Sequence, residues 1–169
     1  IRFLPRPADY LFLYFFGFYV LMFSLKIEYR LAILGALSFG FSTYLLIIIG
    51  AGHNAKAHAI AYMPFVLSGF IYIIRKKYFL GFLMTTFFLG LQITSNHFQM
   101  TYYLMLLIGI LGIWFLYKNL INRDYKHIIN STTIVFASSI LALLMNASNL
   151  LATYEYSKYS TRGNASTLT

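Results

Sequence analysis

Two histidines, an asparagine and a lysine fall within the six residues His53-Asn54-Ala55-Lys56-Ala57-His58, between two long apolar runs. An imidazole carries a proton or hydrogen-bonds an anion near neutral pH. A lysine ammonium is a point charge that pairs with phosphate, and a carboxamide both donates to and accepts from hydroxyls. The same chemistry returns at Asn96, His97 and Gln99, and again at Asn149, Glu155 and Arg162. His53 and His58 are five apart, which is not the i, i+4 spacing of a helix-borne metal pair. His53, His97 and Glu155 are the set that would make a two-histidine, one-carboxylate metal site, with interfacial hydrogen-bonding histidines as the alternative. Lys56 and Arg162 suit an anionic head group, or simple anchoring at lipid heads. Glu155 suits a general base or an ion pair with Arg162. The chain contains no P-loop, GxGxxG, HExxH or GxSxG pattern.

The elements that hold these residues follow from composition. The 169 residues are 60% hydrophobic and 10% charged, with mean hydropathy +0.71. Soluble domains carry about 25% charged residues, so the balance is that of a membrane protein. The 17 Phe and 15 Tyr suit lipid-facing and interfacial positions, and the absence of cysteine removes thiol chemistry and disulfides. The net charge of +9 does not imply nucleic acid, because the cations sit in short loops between apolar runs. Six runs approach the roughly 20 apolar residues a spanning helix needs: 9–25, 31–50, 57–74, 78–94, 100–117 and 131–153. Backbone in lipid must satisfy its own hydrogen bonds, so these runs predict an all-α, polytopic transmembrane bundle of about six helices forming one domain over 1–169. Pro64 removes one backbone bond early in the third. Ser139, Ala142, Asn146, Asn149 and Thr153 share one face of the sixth, and Thr86, Gly90, Thr94 and His97 share one of the fourth. Such stripes either pack helices or point toward a site.

Loop charge orients the bundle. Lys26, Arg30, Arg75, Lys76, Lys77, Lys118, Arg123 and Lys126 make eight cations on one side, against five on the other: Arg2, Arg6, Lys56, Lys158 and Arg162. The positive-inside rule makes the first side cytoplasmic. His53, His97 and Glu155 are then expected on the extracytoplasmic side of the membrane, with Asn54, His58, Asn96 and Gln99 beside them. The chain starts at Ile1 without a signal peptide and is expected to be an internal piece of a longer protein.

Several stretches resemble bacterial YfhO-type membrane proteins. They are Gly35 to Tyr44, Gly52 to Lys56, Ala59 to Pro64, Leu91 to Tyr103 and Tyr154 to Gly163, and their order matches that family. Such proteins are similar to GT-C class glycosyltransferases of the cell envelope. The resemblance implies a multi-pass enzyme that transfers a sugar from a polyprenyl-phosphate donor to an acceptor outside the cytoplasm. The usual catalytic acid of that class lies in an outer loop expected upstream of this chain, and Asp9, at a helix start, does not replace it. On this reading His53, Asn54, Lys56, His97 and Arg162 bind the donor and its phosphate. His58, Asn96, Gln99 and Asn149 line the pocket, and Glu155 is the local candidate base. No metal ligands are assigned, and a divalent metal is left open as a cofactor. The expected partners are the lipid-linked sugar and membrane lipids. The alternative is a non-catalytic carrier of lipid-linked intermediates or an assembly scaffold.

Overall fold

The computed structural model describes residues 5–159, and every regular element among them is an α-helix. In chain order they are α1 (Ala8–Ser24), α2 (Tyr29–Gly40), α3 (Thr43–Gly50), α4 (Asn54–Ile74), α5 (Tyr78–Thr94), α6 (Phe98–Ile121), α7 (Tyr125–Met145) and α8 (Ala147–Tyr159). Three of these, α4, α6 and α7, are long and apolar enough to cross a membrane. The pair α2 and α3 passes that test only together and is bent by 43° at its break, the shape of a broken span or a re-entrant loop. Helices α1 and α5 are apolar but have 17 residues each, about 25 Å of helix against a hydrocarbon core of about 30 Å.

Two of the expected segments are broken. The run 31–50 divides at Phe41-Ser42, where Ser42 is extended (φ −60°, ψ 136°) and opens α3. Gly40 at the end of α2 has no side chain, and Phe15 of α1 fills the space a Cβ would need. The run 131–153 divides at Asn146, so Asn149 and Thr153 belong to α8 rather than α7. Helix α7 also starts earlier than expected. Asp124 caps it, accepting the backbone N–H of His127 at 3.2 Å and satisfying one of the free donors of the first turn.

Helix α4 is the axis of the bundle: 72% of its most apolar stretch is buried, against 11% for α6 and 17% for α7. It packs closely on α5 because small residues face each other. A Cβ on Gly69 would lie 2.5 Å from Thr85 Oγ1 and 2.7 Å from the Thr85 backbone nitrogen. A Cβ on Gly81 would lie 2.8 Å from the Gly69 carbonyl oxygen. Without hydrophobic drive between helices in lipid, such backbone approach supplies the contact. Helices α6 and α7 leave Ile110, Ile113, Phe136 and Leu144 exposed, a surface compatible with a bilayer around the bundle.

Short turns alternate the helices, so the chain has two unlike ends. At one end Tyr10 meets Asn54, and Thr94 meets Asn146. At the other, Arg75 donates to the carbonyls of Ser24 and Leu25, and Lys76 pairs with Asp124. Every turn that links two antiparallel helices contains one left-handed residue. These are Gly52 (φ 73°) and Asn96 (φ 52°) at the first end, and Lys26 (φ 61°), Lys76 (φ 63°) and Arg123 (φ 55°) at the second. Glycine and asparagine tolerate that conformation, whereas another L-residue gives up about 1–2 kcal/mol. The second end accepts that cost three times, each time with a cation beside helix C-terminal carbonyls, where positive charge is favoured.

Candidate functional site

The first end collects most of the polar residues singled out in the sequence. They are held in two groups, not one. The first group forms around the start of α4. Asn54 accepts a hydrogen bond from the Tyr10 hydroxyl at 2.9 Å, which ties α4 to α1. Tyr14, one turn along, donates to the Ala57 carbonyl at 3.2 Å. The His58 ring lies between Tyr10 and Tyr62, at centroid distances of 4.7 and 6.0 Å. Asp9 precedes this cluster and is only 7% exposed, with its Oδ1 accepting the Tyr10 N–H at 2.9 Å. His53 is exposed at the N-cap position of α4 and makes no side-chain cap.

Lys56 points another way. Its Nζ sits 5.2 Å from the centroid of the Tyr44 ring, a cation–π contact. Gln99 Nε2 donates to the Tyr103 hydroxyl at 2.7 Å on the first turns of α6. Tyr44 and Tyr103 both line one cavity of about 410 Å³. Its other walls include Phe18, Phe39, Met63 and Pro64, so it is an apolar groove between α1, the α2–α3 bend, α4 and α6. Lys56 and Gln99 therefore stand at the rim of an apolar groove.

Several buried polar atoms on α4, on α5 and at the α5–α6 turn have no hydrogen-bond partner. Tyr62 and Phe88 lie 6.5 Å apart, and Phe65 stacks on Phe88 at 4.1 Å. Helices α4 and α5 are antiparallel, so Gln92, one turn beyond Phe88, comes level with Ala61 and Tyr62, about one turn short of His58. Gln92 is completely buried, and neither its Nε2 nor its Oε1 has a partner. His58 Nδ1 and His97 Nδ1 are likewise buried and unpartnered, His97 standing just past the α5–α6 turn. A buried polar atom without a partner costs about 1–3 kcal/mol, and Thr85 Oγ1 and Thr86 Oγ1, deeper in α5, are unpartnered as well. Gln92 was not singled out in the sequence, and the available signal was an amide inside an otherwise apolar run.

The second group is separate. Asn96 and Asn149 line a cavity of about 440 Å³ with Thr94, Thr153 and Tyr156. Asn146 donates to the Gly90 carbonyl at 3.0 Å and accepts from Thr94 Oγ1, itself a wall of the cavity, at 2.7 Å. The stripes on the fourth and sixth segments are thus a packing seam at Thr94 and Asn146 and a cavity wall beyond it. Glu155 is exposed on α8, and Arg162 lies outside the described residues. Among the described residues no group of three His, Cys, Asp or Glu side chains could hold a metal ion, so His53, His97 and Glu155 do not assemble the two-histidine, one-carboxylate set. Helix α8 carries Glu155 beyond the break at Asn146, which the continuous reading of 131–153 did not contain.

The first group thus sets Lys56 and Gln99 beside an apolar groove and leaves polar atoms of His58, Gln92 and His97 without partners. Comparison with known proteins finds no matching family model, no matching curated protein and no matching solved structure.

Proposed function

We propose that this chain is the donor-binding part of an integral membrane glycosyltransferase-like protein that uses a polyprenyl-phosphate sugar on the extracytoplasmic side. The single observation that carries the reading is the apolar groove of about 410 Å³ whose rim bears Lys56 over Tyr44 and Gln99 on Tyr103. A polyprenyl chain needs such a groove, and its phosphate needs a cation where the groove meets the interface. The sugar needs donors and acceptors, and the unpartnered Gln92, His58 and His97 offer both. Helices α1 and α5 and the bent pair count as spans in this reading, which gives six and sets the histidine-bearing end outside. Asp9 is a better candidate base than Glu155, because it is the buried carboxylate beside Tyr10 and His58 while Glu155 is exposed. Arg162 and the GT-C likeness rest on the sequence resemblance alone.

The test is equilibrium binding of a short-chain polyprenyl phosphate to the chain in neutral detergent. A charge-assisted bond contributes about 1.5–3 kcal/mol, so Lys56→Ala should weaken binding by about tenfold to a hundredfold. Lys118→Ala, at the other end of the bundle, should leave it intact. Equal binding by Lys56→Ala and the parent chain would end the proposal. The second reading, a non-catalytic carrier, draws on Asp9 Oδ1 already accepting the Tyr10 N–H. Sugar transfer in membranes, with and without a divalent metal, separates the two: Asp9→Asn should abolish transfer but retain binding if the protein is an enzyme.

A further inference from the structure

The opposite end of the bundle carries a site that the reading above does not use. A cavity of about 680 Å³ opens between the α1–α2 turn and the α4–α5 turn. Phe23, Ile27 and Tyr72 supply apolar wall, and Phe23 is 63% exposed. Four cations line the same cavity, and they are not equivalent. Arg75 is committed to the Ser24 and Leu25 carbonyls, where it closes the end of α1. Lys76 is committed to Asp124, with Nζ 2.8 Å from Oδ2. Lys26 and Lys77 have no anionic partner among the described residues. Lys77 Nζ stands 5.6 Å from the Tyr72 ring centroid, and Lys26 occupies one of the left-handed turn positions. The two committed cations hold the turns in place, and the two uncommitted ones flank an open space with an apolar side.

We infer that this cavity binds the phosphate of an anionic phospholipid, with Lys26 and Lys77 as the charge partners and Phe23 and Ile27 against the upper part of an acyl chain. Charge and shape both favour this occupant. Two uncommitted ammonium groups at one opening attract a phosphodiester, and a small hydrated anion would leave the exposed Phe23 and Ile27 in contact with water. Anionic lipids are concentrated in the cytoplasmic leaflet, which is the leaflet that the loop charges assign to this end. The site is independent of the groove at the other end and stands whether or not that groove binds a sugar donor.

The experiment is equilibrium binding of a fluorescent phosphatidylglycerol to the chain in a neutral maltoside detergent. Phosphatidylcholine and inorganic phosphate serve as competitors, and helicity by circular dichroism verifies each variant. Phosphatidylglycerol should bind at least about tenfold more tightly than phosphatidylcholine, and inorganic phosphate at equal concentration should not displace it. Replacing both Lys26 and Lys77 by Gln should weaken phosphatidylglycerol binding by about thirtyfold, since each lysine near an anionic surface contributes about fivefold. Lys126→Gln, on the same end but outside the cavity, should change nothing. Equal affinity for the two lipids would overturn the inference. So would an undiminished affinity in the double variant, or a Lys126→Gln loss as large as that of one cavity lysine, which would mean a diffuse basic face. Displacement by inorganic phosphate at equal concentration would reduce the site to a simple anion site and overturn the lipid assignment.

Discussion

Asn146 offers the most direct check on how the bundle is held. Its side chain is 5% exposed and makes two bonds across the α5–α7 contact: Nδ2 to the Gly90 carbonyl at 3.0 Å and Oδ1 from Thr94 Oγ1 at 2.7 Å. A third, from Nδ2 to the Ala142 carbonyl at 2.9 Å, stays within α7. Asn146→Ala removes both cross-helix bonds. Interhelical hydrogen bonds in membrane proteins average about 0.6 kcal/mol and reach about 1.7. The loss should therefore be about 1.2 kcal/mol, with an upper bound near 3.4 kcal/mol. The lower figure is about a sevenfold shift in the unfolding equilibrium. Reversible unfolding in mixed micelles, followed by circular dichroism, measures it. Thr94→Val should cost about half as much, and the double variant should show a coupling of about 0.6 kcal/mol. Full additivity of the two substitutions would mean that the Thr94–Asn146 bond contributes nothing, and an unaltered Asn146→Ala would refute the seam itself.

Glycines on the same helices separate tight from loose contacts. Gly69→Ala should destabilise by about 1–3 kcal/mol in the same unfolding assay, because its Cβ meets Thr85 backbone at 2.7 Å. Gly90→Ala should be nearly neutral, its nearest neighbour being Asn146 Nδ2 at 3.7 Å. The hydrogen bond from Lys76, together with the His127 backbone N–H, holds the Asp124 carboxyl below the ordinary carboxylate range. Its contribution to stability is therefore full above the unfolded carboxylate pKa of about 3.9 and disappears as pH falls through the lower folded value. Melting curves should show Asp124→Asn less stable than the parent chain at neutral pH and equal to it in strong acid. His127 is buried, with Nε2 2.8 Å from the Ile74 carbonyl and Nδ1 2.8 Å from the Tyr78 hydroxyl. His127→Phe strands both partners and should cost about 1–3 kcal/mol, read as a lower midpoint in chemical denaturation.

The helices were legible because apolar length is a local property. Each of the six runs is helical, and the ends of α5 fall on the expected residues, 78 and 94. The breaks were not legible. Phe41-Ser42-Thr43 continues an apolar run without proline, and no sequence signal there marks the bend, beside which Phe15 packs on Gly40. Asn146 reads as one more member of a helical stripe until its amide is seen to bond Gly90. The site was legible as a set of polar residues at one end, since short turns alternate the helices. Its division was not. Whether Lys56 faces Asn54's neighbours or Tyr44 depends on where α3 turns, and whether Asn96 joins His97 or Asn149 depends on the α5–α7 seam. Gln92 was passed over because its importance lies in the partners it lacks, which no sequence pattern records.

The bend between α2 and α3 has a kinetic meaning. Phe39, Ser42, Tyr44 and Leu45, which flank it, form one side of the groove that ends at Lys56. An unbroken helix would run straight past that place, whereas a break gives the groove a sideways mouth. A ligand that uses such a mouth arrives from within the leaflet and not from water. Its encounter rate then scales with its mole fraction among the lipids and is indifferent to its bulk concentration. Adding lipid at constant total ligand should therefore lower occupancy as that fraction falls, and stiffening the turn at Phe41-Ser42 should slow both arrival and departure while leaving the equilibrium almost unmoved.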